Sequence, residues 1–150
     1  MIQSHRTSFE HPTWEDYFAS KLRIFDQCTY GLVNLDSEHC EEILEAAKAS
    51  KKVITFSETN EDADFYGYNV HKVGNDIVFN VRGSDFDDEF KLSMPGLFNV
   101  SNALCAIAIA RLYDIPVSDI QAGLYQAKVP GRMEIYTSND HKITAIVDYA

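Results

Sequence analysis

The chain has 150 residues, 45% of them hydrophobic and 24% charged, with a formal net charge of −10. That length supports one domain with a core of its own, and the composition is ordinary for a globular protein. The acidic balance argues against a nucleic-acid backbone as partner, and no apolar run approaches the roughly 20 residues of a membrane span.

An anionic nucleotide stays within reach, because a metal or backbone donors can hold a phosphate locally. The opening stretch, MIQSHRTSFEHPTW, lacks the apolar core of a signal peptide, so the expected location is cytoplasmic. Cys28, Cys40 and Cys105 are odd in number and share no metal-ligand spacing; they read as reduced, mostly buried thiols.

Residues 13–27 place Trp14, Tyr17, Phe18, Leu22 and Phe25 at helical spacing, with Thr13 as N-cap and Asp16 three residues on. GLVNLD at 31–36 reads as a short buried strand, 37–49 as a helix capped by Ser37, and 52–56 as the next strand. Strand, helix, strand at this spacing is a βαβ unit, so the fold class is α/β with part of the sheet parallel.

Between 63 and 94 the pattern becomes three alternating runs. Tyr66, Tyr68, Val70 and His71 lead to Ile77, Phe79 and Val81, then to Phe90, Leu92 and Met94, with Gly74-Asn75-Asp76 and Gly83-Ser84-Asp85 as separators. This predicts a three-stranded antiparallel meander. Residues 100–113 are apolar almost all round and predict a deeply buried helix. Ser118 caps a short helix ending near Gln126. After the turn Pro130-Gly131-Arg132, residues 133–136 read as a strand, Ser138-Asn139-Asp140 as a turn, and 142–147 as a last apolar run.

Four features could carry chemistry. In FNVSNALCAIAIA, Asn99 and Asn102 lie one turn apart at a helix start. They suit an N-cap and a polar first turn, or an adenine edge, which presents both a donor and an acceptor to an amide. Lys21 lies in the apolar helical stretch YFASKLRIF. A helical lysine usually snorkels to water; as a neutral amine it can instead take up carbon dioxide to form a carbamate, whose hard oxygens suit Mg²⁺. His5 and His11 flank SFE and fit surface histidines, with no metal template around them. Arg132 follows a Pro-Gly turn, where it can meet a phosphate bidentately, and Asp148 sits at a strand end, where α/β folds place ribose-binding groups.

The order HxxxxxHPTxEDYFxxK, GLVNLD, MPGLFNVSNALCAIAIA, VPGRME and VDYA resembles the Mur ligases, the ATP-dependent amide ligases of peptidoglycan precursor synthesis. The resemblance runs over the whole chain. VPGRME with VDYA is similar to the branch that adds a diamino acid, lysine or diaminopimelate, to UDP-N-acetylmuramoyl-L-alanyl-D-glutamate. Folylpolyglutamate and cyanophycin synthetases share a PGRxE-like turn.

The resemblance implies a piece of a longer enzyme: 1–130 as the second half of a central ATP-binding domain, and 131–150 as the hinge and first strand of a C-terminal Rossmann-like domain. Part of that family's central domain is a βαβ unit plus the meander, which would stand at its side. The resemblance places the Gly-rich phosphate loop before residue 1 and the residues that recognise the amino acid after Ala150. The isolated chain would then be inactive. A non-catalytic remnant or interaction module is the other reading.

By resemblance, His5 binds Mg²⁺, a carbamylated Lys21 helps bind a second Mg²⁺, Asn99 and Asn102 face the adenine of ATP, Arg132 meets its phosphates and Asp148 holds its ribose. The histidines depart from the family, being spaced by six where four is the familiar spacing. The implied partners are the UDP-N-acetylmuramoyl dipeptide and a diamino acid, with no nucleic acid or membrane, and the implied state is a monomer.

Overall fold

The computed structural model describes residues 13–128 and 134–147. Helix α1 spans Trp14–Leu22 and passes into a 3-10 turn, Arg23–Gln27. Thr13 is its N-cap as expected: its hydroxyl oxygen accepts the backbone N–H of Asp16 at 3.1 Å, satisfying a donor that a helix start leaves free.

Strand β1, Tyr30–Asn34, and strand β2, Lys52–Ser57, pair in parallel from Tyr30↔Lys52 to Asn34↔Phe56. Helix α2 between them spans Cys40–Ala47, three residues later than the sequence suggests. Ser37 does not cap it. The Asn34 side chain accepts the Asp36 N–H at 2.9 Å and turns the chain first, so Ser37 falls inside that turn and Cys40 N–H reaches back to its carbonyl at 3.1 Å.

Strands β3 (Phe65–Val73), β4 (Asp76–Arg82) and β5 (Asp87–Leu92) form the expected antiparallel meander. It does not stand apart. The start of β3 pairs in parallel with the end of β2 at Phe56↔Phe65 and Ser57↔Tyr66, giving one five-stranded sheet ordered β1-β2-β3-β4-β5. Seven residues are short for a parallel connection; the pairing survives because it is confined to two positions and because the Asp64 carboxylate accepts both Thr55 N–H and its hydroxyl, at 2.8 and 2.9 Å. The register of β3 shifts between Tyr68 and His71, with Asn69 at φ 53°, a β-bulge at the place where the sequence alternation slips. Gly74 turns β3 into β4 at φ 62°.

Helix α3, Asn99–Leu112, lies on one face of this sheet, and helix α4, Val117–Gln126, lies beside it against β5. The core forms where Phe56, Ile77, Phe79, Val81, Phe90 and Leu92 meet Val100, Leu104, Ile107 and Ile120. Each such large side chain contributes about 1.5–3 kcal/mol on burial. Gly67 lets α3 close in, since a Cβ there would lie 2.9 Å from the Leu104 side chain.

Two expectations fail here, and a third holds only in part. Helix α3 is not buried all round: Asn102, Ala106 and Ile109 are exposed, because the sheet takes up only one side of it. Ser118 does not cap α4; Pro116 holds the cap position, and its fixed φ near −60° starts the helix without a side-chain bond. The three cysteines are free, as expected, but half-buried rather than buried.

Strands β6 (Glu134–Thr137) and β7 (Thr144–Val147) pair antiparallel as a separate two-stranded sheet. The turn between them is tied by Ser138, whose hydroxyl donates to Asp140 at 2.6 Å and accepts the Ile143 N–H at 3.0 Å. The last apolar run therefore does have a strand partner, but every side chain of β7 is exposed.

Candidate functional site

The C-terminal ends of β1 and β2 and the first turn of α3 meet at one edge of the sheet. Open α/β sheets bind ligands outside the carboxyl ends of parallel strands, so this edge is where the chemistry of the sequence should gather. Asn99 is the first helical residue, and Phe98, which cannot cap, precedes it. Neither asparagine is the N-cap. Asn99 Nδ2 donates to the Pro95 carbonyl at 2.8 Å, and Asn102 Nδ2 donates to Asn99 Oδ1 at 3.3 Å. The structure thus brings the two predicted residues together. Asn99 is half-buried and held, while Asn102 is exposed, with its amide oxygen and second N–H unpartnered among the described residues. One acceptor and one donor side by side match an adenine edge.

Beneath them lies a polar knot that sequence reasoning passed over. The Asp36 carboxylate accepts from Ser57 Oγ at 2.5 Å, Thr59 Oγ1 at 2.5 Å and Glu58 N–H at 2.7 Å. Burial pushes the Asp36 carboxyl up, but those hydrogen bonds outweigh it and hold the group below the usual carboxylate value. Glu58 moves the other way, raised first by burial and then by the Asp36 charge. The signal was present in the sequence as a polar pair two residues apart, Asn34 and Asp36, closing an apolar strand.

Lys21 sits in the last turn of α1 and is exposed, with Nζ 5.4 Å from the centre of the Tyr17 ring. Its apolar neighbours turn elsewhere: Phe18 is buried and Phe25 packs by Gly31. His5, Arg132 and Asp148, with His11, lie outside the described residues. Among the described residues no three His, Cys, Asp or Glu side chains converge on a cation-sized site, and no helix is long and apolar enough to cross a membrane.

A cleft of about 580 Å³ opens at the opposite end of the sheet, between the start of β2, the β4–β5 turn and the end of α3. Its cations are largely spoken for. Arg111 pairs with Asp85 at 2.7 Å and donates to the Ile115 carbonyl, and Arg82 stands 3.6 Å from Glu61. It lies away from the carboxyl ends of the parallel strands.

A family model described as the Mur ligase middle domain matches residues 4–110. The chain is 30% identical over 146 residues to UDP-N-acetylmuramoyl-L-alanyl-D-glutamate–2,6-diaminopimelate ligase of Clostridium perfringens, covering 93% of this chain and 29% of that protein. It is 34% identical over 154 residues to UDP-N-acetylmuramoyl-L-alanyl-D-glutamate–L-lysine ligase of Streptococcus suis, covering 97% of this chain and 28% of that one. Among solved structures, MurF from Acinetobacter baumannii superposes with a TM-score of 0.81 at 21% identity, over 98% of this chain and 32% of its own, a likeness of fold. The chain spans less than a third of the length of these curated relatives. A mixed five-stranded sheet backed by α3, matched by sequence over most of its length, establishes that the chain belongs to the Mur ligase family through that family's middle domain.

Proposed function

We propose that the chain forms part of the ATP-binding domain of a cytoplasmic ligase that joins a diamino acid to UDP-N-acetylmuramoyl-L-alanyl-D-glutamate in peptidoglycan precursor synthesis. The observation that carries this reading is the pair Asn99 and Asn102, brought together on the first turn of α3 at the carboxyl edge of the parallel strands. The relatives divide between diaminopimelate and lysine, so the substrate class is a diamino acid and no finer.

Bound ATP would supply the phosphoryl group that activates a substrate carboxylate as an acyl phosphate; the incoming amine would attack the acyl carbon, forming the amide and releasing phosphate. The chain's own contribution is binding and orientation. Asn102 offers the adenine its free oxygen and N–H, and Asn99 holds Asn102 in place. Arg132 meets the phosphates and Asp148 the ribose hydroxyls. Residues 1–130 belong to the central domain and 131–150 lead into the next; the separate β6–β7 sheet supports that division.

His5 and a carbamylated Lys21 are the residues that would hold Mg²⁺. The exposed setting of Lys21 does not fit that role by itself, so no step is routed through the ion.

The test is a titration of the ¹⁵N-labelled chain with ATP and with GTP. The side-chain amide signals of Asn99 and Asn102 should shift saturably with ATP and less with GTP. Equal shifts with both nucleotides, or none at these residues, would remove the adenine assignment. Phosphate release that depends on the UDP-muramoyl dipeptide plus lysine or diaminopimelate, measured on the longest natural form, then tests the ligase reading.

A further inference from the structure

The loop after β1 is tied down more heavily than a turn requires. Asn34 uses both ends of its amide. Its Oδ1 accepts the Asp36 N–H at 2.9 Å, and its Nδ2 donates to Ser101 Oγ at 3.0 Å, sixty-seven residues along the chain. Asp36 is gripped in turn by Ser57, Glu58 and Thr59. Ser57 is fully buried at 0% exposure, and its hydroxyl oxygen also accepts the N–H groups of Thr59 and Asn60, at 3.0 and 2.8 Å. A continuous run of hydrogen bonds therefore links the end of β2, the loop after β1 and the first turn of α3.

Ser101 stands between Asn99 and Asn102. The start of α3 has no side-chain cap, and besides the Asn99 bond to Pro95 it is held by backbone bonds to Gly96 and Leu97. Leu104 against Gly67 locates the body of the helix, but apolar contact is non-directional and leaves rotation about the helix axis soft. A planar amide held at both ends sets that rotation.

We propose that Asn34, anchored by Asp36, is a positioning residue that sets the orientation of the first turn of α3 and hence the base selectivity of Asn102; this rests on the adenine reading given above. Asn34 does not touch the base. A purely structural role for the strut predicts lower stability with unchanged base preference. A positioning role predicts loss of preference at nearly unchanged stability.

The experiment titrates the ¹⁵N-labelled chain with adenosine and with guanosine, for wild type, Ser101→Ala and Ser101→Thr, alongside thermal melts. Wild type should prefer adenosine at the Asn99 and Asn102 amide signals. Ser101→Ala should weaken adenosine about fivefold, the size of one hydrogen bond, leave guanosine unchanged, and keep the melting temperature within a few degrees. Ser101→Thr, which retains the hydroxyl, should restore the preference. If Ser101→Ala fails to fold, Thr59→Val at the far end of the run should show the same loss at about twofold. Unchanged preference in every folded variant overturns the inference and leaves the adenine reading standing. A wild type that shows no adenosine response at Asn99 and Asn102 overturns the adenine reading and this inference with it.

Discussion

The two halves of the five-stranded sheet are held by different physics. In the antiparallel half, β3 to β5, Ile77, Phe79, Val81, Phe90 and Leu92 are at most 1% exposed and pack as one apolar layer under α3 and α4. In the parallel half, β1 and β2 end in side-chain hydrogen bonds among Asn34, Asp36, Ser57, Thr59 and Ser101. Apolar burial contributes much free energy and little direction; polar bonds contribute little net energy but fix geometry. The half that stabilises and the half that presents functional groups are therefore separable by mutation.

The largest effect should come from the apolar half. Phe79→Ala, at a fully buried position, should cost about 3–5 kcal/mol in a denaturant melt. A loss below about 1 kcal/mol would mean that the antiparallel layer is not the main source of stability. Next, Gly67→Val should cost about 1–3 kcal/mol by overpacking Leu104. Because it displaces the helix body, it should also disturb the Asn99 and Asn102 amide signals.

Smaller again is Asp36→Asn, at about 1 kcal/mol for the lost charge-assisted bonds. Its pH behaviour is the sharper readout. The folded carboxyl of Asp36 is held below 3.8, so its stabilisation is present above 3.8 and is lost as pH falls through the folded value. Glu58 is raised above 4.5, so its contribution is present below 4.5 and is lost as pH rises through its folded value. Asp36→Asn should flatten the acid limb of a melting-temperature profile and let Glu58 titrate lower by NMR, since its charged neighbour is gone. A profile identical to wild type on both sides would break the assignment. The smallest stability effect, under about 0.5 kcal/mol, is expected for the exposed Asn102→Ala, while adenosine binding should fall about tenfold.

Much of this was legible beforehand because it depends on local pattern. The alternation of Tyr66, Phe79 and Phe90 with polar neighbours marked the meander, and Thr13 with Asp16 marked the start of α1. Ser37 and Ser118 misled because capping is a competition. At Ser37 an asparagine three residues earlier took over the turn, and at Ser118 a proline had already set the backbone. Helix α3 misled for another reason: an apolar composition tells how much surface could be buried, not how many sides are offered a partner. In the site, Asn99 and Asn102 were visible because they sit one turn apart. The bond from Asn34 to Ser101 spans sixty-seven residues and has no local signature. Helical spacing alone could not show that Lys21 is exposed while its neighbour Phe18 is buried.

The strands lie side by side in the order in which the chain makes them, β1 through β5. Nothing has to be threaded between existing neighbours, so each strand can add to a finished edge as an accretion, with a small loop-closure entropy at every step. Only α3 must travel back across the sheet to β2 and β3. In a stopped-flow experiment with single-site probes, the meander should gain protection first and the Asn34–Ser101 contact later, because closing that contact spans sixty-seven residues. The late-forming contact is made by Ser101, next to Asn102 in the chain, so adenosine should bind only after the final folding phase and can report its rate.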